Sequence, residues 1–152
     1  MAGDARIMKK LLLNILKANF YLISLLSFIS PVYADPLSPD KAFHFVPKLE
    51  NSSIMIYGTT QPSYKLYKDN IKIINDKSRV SLSDMIKPAG KRQYNEFLNK
   101  YQEEYEGDFL LEIPFKIIDK KKSVVEFDLE AQGCTKGLCY SPFLTHIKLS
   151  IK

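Results

Sequence analysis

The only two cysteines of this 152-residue chain, Cys134 and Cys139, lie near its C-terminal end, separated by Thr135, Lys136, Gly137 and Leu138. Two thiols at this spacing can close on each other or exchange a disulfide with another protein. The segments on either side read as β-strands, which puts the pair at the mouth of a hairpin. Opposed residues of an antiparallel ladder have Cα atoms roughly 4.5–5.5 Å apart, inside the window of about 4.4–6.8 Å that a disulfide needs. A bond is therefore reachable without backbone movement. In chain-entropy terms so short a loop stabilises by only about 2 kcal/mol, against about 4.7 for a loop of about a hundred residues. Loop size alone leaves both a hairpin clip and an exchanging centre open. Side-chain parity adds an expectation. Val125, Phe127, Leu129 and Ala131 alternate with Glu126, Asp128, Glu130 and Gln132, so Cys134 continues the polar face unless Gly133 breaks the register. An accessible Cys134 sulfur is expected.

The elements that position this hairpin read as strands nearly throughout. Candidate strands cover residues 42–45, 53–59, 64–68, 71–74, 80–82, 109–118, 123–132 and 145–151. Turn signals such as Gln61-Pro62-Ser63, Lys87-Pro88-Ala89-Gly90 and Glu106-Gly107-Asp108 separate them. Short strands at this spacing predict an all-β fold, a β-sandwich. The last strand shows the pattern most cleanly, with Ile147, Leu149 and Ile151 alternating against His146, Lys148, Ser150 and Lys152. There is no Trp and the cysteines are neighbours, so the sandwich is immunoglobulin-like in outline only, carrying a cysteine hairpin, structural or redox, in place of a bridge between distant strands. Across residues 92–105, Tyr94, Phe97, Leu98, Tyr101 and Tyr105 recur at roughly helical intervals. A short helix or a long excursion is expected there.

The first 34 residues read as a removable leader. Lys9, Lys10 and Lys17 precede an apolar run over residues 20–29, and Val32-Tyr33-Ala34 offers small residues for cleavage. That run is well short of the roughly 20 residues a spanning helix needs. Residues 1–7 precede a Met-Lys-Lys start and form a leading extension. Cleavage after Ala34 leaves residues 35–152 as one exported domain, expected to be soluble and monomeric. The formal charge of the whole chain is +5, but residues 35–152 hold 18 basic against 16 acidic residues, a net of +2. No nucleic-acid footprint remains, since Lys120-Lys121-Lys122 reads as a solvated turn. An oxidising compartment permits the disulfide.

At the cysteines the sequence also resembles a known family, the N-terminal periplasmic domain of the bacterial thiol:disulfide interchange protein DsbD. Gln132-Gly133-Cys134 followed by Gly137-Leu138-Cys139-Tyr140 is similar to the family's Q-G-C, G-[LF]-C-Y hairpin. Pro39-Asp40-Lys41-Ala42-Phe43-His44-Phe45 resembles its opening segment, and Tyr64-Lys65-Leu66-Tyr67 through Ile71-Lys72-Ile73 its Y-x-L-Y-x-x-x-I-x-I strand pair. Asn95-Glu96-Phe97 falls where the family carries an acidic-aromatic loop over its cysteines. The chain departs in having four residues between the cysteines rather than five, and Tyr140-Ser141-Pro142 rather than Tyr-Pro-Pro.

The resemblance implies periplasmic thiol-disulfide exchange, relaying reducing equivalents between thioredoxin-like C-x-x-C proteins with no cofactor. It implies Cys139 as the partner-facing sulfur, Cys134 as the resolving one, and Glu96, Phe97, Tyr67 and Tyr140 as cap or partner-binding residues. Full-length relatives continue into a membrane domain and a thioredoxin-like domain, so a separate membrane or thioredoxin-like donor is expected. A shield makes physical sense, because an exposed dithiol in an oxidising compartment is lost to non-specific oxidants. No adjacent cation is evident to activate either thiol, and Glu130 and Glu96 disfavour a thiolate. His44 and His146 read as ordinary strand residues rather than metal ligands. The competing reading is a secreted β-sandwich binding or adaptor module whose disulfide only clips a hairpin.

Overall fold

The structure is a computed structural model that describes residues 8–10, 12, 14, 35–95, 99–118 and 124–151. It divides into two units. In the first, Met1–Asp35, residues 8, 9, 10, 12 and 14 are helical, and among the described residues no helix is long and apolar enough to cross a membrane.

The second unit, Pro36–Lys152, is built almost entirely of strands. After one helical turn, Pro39–Ala42, come β1 (Phe43–Glu50), β2 (Ser53–Thr60), β3 (Lys65–Tyr67), β4 (Lys72–Ile74), β5 (Val80–Leu82) and β6 (Lys91–Asn95). They are followed by β7 (Lys100–Tyr105), β8 (Asp108–Ile117), β9 (Val124–Ala131), β10 (Gly133–Thr135), β11 (Leu138–Cys139) and β12 (Phe143–Ser150). Among the described residues three antiparallel sheets form, in the orders β1-β2-β8-β5, β11-β10-β3-β7-β6 and β12-β9-β4. One apolar core draws on all three, with Ile54, Ile56, Leu111 and Ile113 from the first, Leu66 and Tyr105 from the second, and Phe127, Leu129 and Ile147 from the third. Each fully buried aliphatic or Phe side chain of this kind stabilises by about 1.5–3 kcal/mol relative to its exposed state.

Period-two alternation holds where it was clearest. Val125, Phe127, Leu129 and Ala131 are all buried, and their polar neighbours pair across the outer face. Glu126 meets Lys148 at 2.7 Å, Asp128 meets His146 at 2.8 Å and Glu130 meets Lys72 at 2.9 Å. His44 lies opposite Thr59 in the β1-β2 ladder and is exposed.

Two segments differ from the sequence reading. Lys91–Asn95 and Lys100–Tyr105 form not a helix but two paired strands, β6 and β7, with Tyr94 opposite Tyr101 and Arg92 opposite Glu103. The alternation was hidden because the buried positions of β7 include the polar Gln102 and Glu104. Strand β1 also runs on to Glu50 through Pro47. Proline is tolerated there because β1 is an edge strand.

Candidate functional site

Gly133 makes the cysteine hairpin possible at this place. Strand β9 pairs with β12 and β4 as far as Ala131, after which β10 leaves that sheet and pairs with β3, Gly133 facing Leu66 and Cys134 facing Lys65. A Cβ on Gly133 would stand 2.4 Å from the Phe43 ring and 2.6 Å from the Lys65 carbonyl oxygen. Only glycine lets the chain approach so closely. The turn closes through Gly137 at φ 78°, a left-handed conformation that glycine adopts without penalty.

Cys134 and Cys139 face each other across the β10-β11 ladder and are joined by a disulfide, with Cα atoms 4.0 Å apart. The two sulfurs are not equivalent. Cys134 is 2% exposed, whereas Cys139 lies on an exposed strand. The accessible Cys134 expected from parity is therefore corrected. The alternation of β9 is reset where the chain changes sheets at Gly133, so that Gly133 and Cys134 are both buried. Cys139 is the accessible member.

Tyr67, at the end of β3, covers the buried sulfur. Its hydroxyl lies 2.9 Å from Cys134 Sγ and 3.7 Å from Cys139 Sγ. Neither sulfur carries a proton in the disulfide, so the phenol is the donor. Lys65, two residues earlier on the same face, holds its ammonium 5.9 Å from the centre of the Tyr67 ring, within the reach of a cation–π contact. That ammonium also pairs with Glu104 Oε1 at 2.8 Å. Nothing in the order of residues marks Lys65 or Glu104 as neighbours of the cysteines. The signal was the parity of β3, on which Lys65 and Tyr67 share a face, but it could be used only once β7 was known to be the adjoining strand.

Tyr140 belongs to a different cluster. Its ring packs edge-on against Phe43 and stacks on Tyr64, and its hydroxyl donates to the Leu37 carbonyl at 2.6 Å. The Leu37 N–H donates in turn to the Tyr64 hydroxyl at 2.7 Å, so two tyrosines strap the start of the domain to the base of the hairpin. Burial and the hydrogen bond with Tyr64 hold the Tyr140 phenol above its ordinary range. Glu130, which the sequence reading expects to disfavour a thiolate, pairs with Lys72. Glu96 and Phe97 lie outside the described residues.

A groove of about 980 Å³ opens beside the disulfide, bounded by the 61–63 turn, Tyr64, Tyr67, Tyr94 and the hairpin from Cys134 to Cys139. An exposed sulfur at the wall of a groove, backed by a buried sulfur under a phenol, is an arrangement that another protein's thiolate can reach.

Residues 33–151 match the family described as Thiol:disulfide interchange protein DsbD, N-terminal. The chain belongs to the DsbD N-terminal family. Two curated relatives are named Thiol:disulfide interchange protein DsbD. The one from Haemophilus ducreyi is 27% identical over 147 residues, covering 89% of this chain and 24% of the relative. The one from Pasteurella multocida is 24% identical over 106 residues, covering 70% of this chain and 17% of the relative. The chain thus spans a quarter or less of these DsbD proteins. Among solved structures, the reduced DsbD N-terminal domain of Neisseria meningitidis superposes with a TM-score of 0.62 at 22% identity, over 75% of this chain and 89% of that one. A complex of the DsbD and PilB N-terminal domains of the same organism gives 0.61 at 20% identity, over 76% and 88%. These likenesses establish the immunoglobulin-like sandwich of the DsbD N-terminal domain as the fold of this chain.

Proposed function

We propose that this protein carries out thiol-disulfide exchange through Cys134 and Cys139, relaying reducing equivalents between thioredoxin-like proteins in the periplasm after removal of residues 1–34. The observation that carries this reading is the unequal pair, with Cys139 exposed on the groove and Cys134 buried under the Tyr67 hydroxyl. Membership of a family described by thiol:disulfide interchange supports it, as does the complex of a related domain with a second protein domain.

In the reductive step, the thiolate of a donor C-x-x-C protein attacks Cys139 Sγ. The Cys134–Cys139 bond breaks, a mixed disulfide forms, and Cys134 departs as a thiolate facing the Tyr67 hydroxyl. The donor's second cysteine then attacks its own sulfur in the mixed disulfide and releases Cys139, leaving the chain reduced by two electrons and the donor oxidised. The oxidative step reverses these roles. Cys139 attacks an acceptor disulfide, and Cys134 resolves the mixed disulfide and reforms the bond. Glu96 and Phe97 serve as the cap that a docking partner displaces. This part of the reading rests on the family resemblance and on their covalent link to Asn95, which lines the groove.

Equilibration with a redox buffer separates exchange from a hairpin clip. An exchanging pair has a potential less negative than about −300 mV, the level below which structural disulfides lie. A more negative value would return the disulfide to a structural role.

A further inference from the structure

Glu104 is 2% exposed, and it is an acid beneath a redox site. Its Oε1 accepts from Lys65 Nζ at 2.8 Å and from Gln102 Nε2 at 3.2 Å. Its Oε2 is buried with no hydrogen-bond partner among the described residues. A buried carboxylate left half satisfied is costly and calls for a reason. The sheet register supplies one. Lys65 is the cross-strand partner of Cys134, and Glu104 is the cross-strand partner of Tyr67. Lys65, Tyr67, Cys134 and Glu104 therefore share one face of the sheet, with the Lys65 ammonium 2.8 Å from the carboxylate and 5.9 Å from the centre of the ring whose hydroxyl meets the sulfur.

An unpaired cation at this position stabilises a thiolate and makes the thiol reactive. We propose that Glu104 is a positioning residue for the dithiol: its buried carboxylate holds Lys65 beside Tyr67 and cancels that cation's pull on the Cys134 sulfur, keeping the reduced pair poorly reactive until a partner docks. The inference rests on the exchange reading and adds to it the group that sets reactivity in the free protein. Among the described residues the remaining charges lining the groove are Lys136 on the hairpin turn and Glu106, one of each sign. Lys68, next on the chain, is already closed by Glu103 at 2.7 Å. Phenols come from Tyr64, Tyr67 and Tyr94. Among these groups the Lys65–Glu104 pair is the one whose ammonium lies within cation–π reach of the cysteine's own hydrogen-bond partner.

The test uses the reduced chain carrying Cys139→Ser, so that Cys134 is the sole thiol, with thiolate absorbance followed against pH. Glu104→Gln keeps the shape and removes the charge. It should lower the thiolate midpoint by about one unit, giving about tenfold more thiolate at neutral pH. Adding Lys65→Met to Glu104→Gln makes the pair neutral again and should restore the parent midpoint. An unchanged midpoint in Glu104→Gln overturns the proposal. So does a double variant that stays as reactive as the single one, since that outcome reports loosened packing. Should Glu104→Gln fail to fold, Lys65→Met takes its place. With Glu104 left in place and its cation removed, the midpoint must rise, and an unchanged or lower value overturns the proposal. None of these titrations uses a partner. Failure of the wild type to exchange with thioredoxin-like proteins is thus a separate outcome, which defeats the exchange reading and not this one.

Discussion

The Tyr67 hydroxyl stands 2.9 Å from Cys134 Sγ and 3.7 Å from Cys139 Sγ, nearer to the buried sulfur than to the exposed one. A donor in that place stabilises the charge that grows on Cys134 as the disulfide opens. Tyr67→Phe should therefore slow reduction of the disulfide by about tenfold, the equivalent of one hydrogen bond to a charged group of roughly 1.5 kcal/mol. Stopped-flow reduction by a C-x-x-C protein measures it. An unchanged rate would leave the phenol as a packing group.

The disulfide itself should matter little to folding. Replacing both Cys134 and Cys139 with Ser removes a short loop closure of about 2 kcal/mol from a domain whose stability is expected at about 5–15 kcal/mol. Thermal melting should show a cooperative β domain that has lost exchange activity. Unfolding at room temperature would make the bridge structural.

Gly133 should be far less tolerant. A methyl group there meets Phe43 and the Lys65 carbonyl at distances no real Cβ tolerates, and overpacking of this kind costs about 1–3 kcal/mol. Gly133→Ala should lower the melting temperature and also change Cys134 reactivity, because the same residue fixes where the hairpin leaves the sheet. Denaturant titration with alkylation kinetics on one sample checks both.

Phe97→Ala tests the proposed cap. Alkylation of the reduced protein by small reagents should speed up, with a stability loss below about 1.5 kcal/mol, whereas a core Phe costs about 3–5. Unchanged alkylation with a large stability loss would assign the ring to the core.

Acid should weaken the outer face of the β9 ladder. Asn75 and then His146 hold the Asp128 carboxyl below its usual 3.8, and Lys148 holds Glu126 below 4.5. A carboxylate lowered in the folded state stabilises above its unfolded value and loses that contribution as pH falls through the folded one. The melting temperature should drop as pH falls below about 4.5, and Glu126→Gln should make that fall shallower. An identical acid limb in Glu126→Gln would contradict the assignment.

The legible parts of the sequence were those where apolar period and ladder agree. Strands β9 and β12 alternate so regularly that their inward faces were evident from residue types, because both sit on the apolar core. The β6-β7 hairpin was not legible, since its inward positions include Gln102 and Glu104, and a buried polar pair gives no hydrophobic period to follow. The burial of Cys134 was missed for a related reason. Parity carries along one ladder, and at Gly133 the chain passes from one sheet to another, so the count restarts. The cysteine pair is legible because two sulfurs in one hairpin need no tertiary knowledge to be recognised. The Lys65–Glu104 pair behind them is assembled by strands separated in sequence by more than thirty residues, and spacing along the chain does not reveal it.

The most direct test of the account is which cysteine a partner captures. Single variants Cys134→Ser and Cys139→Ser are mixed with an oxidised thioredoxin-like protein, and mixed disulfides are resolved by mass spectrometry. The account predicts that Cys134→Ser, which keeps the exposed Cys139, accumulates the mixed disulfide, while Cys139→Ser, which keeps only the buried Cys134, does not. Capture through Cys134, or through neither cysteine, would contradict it.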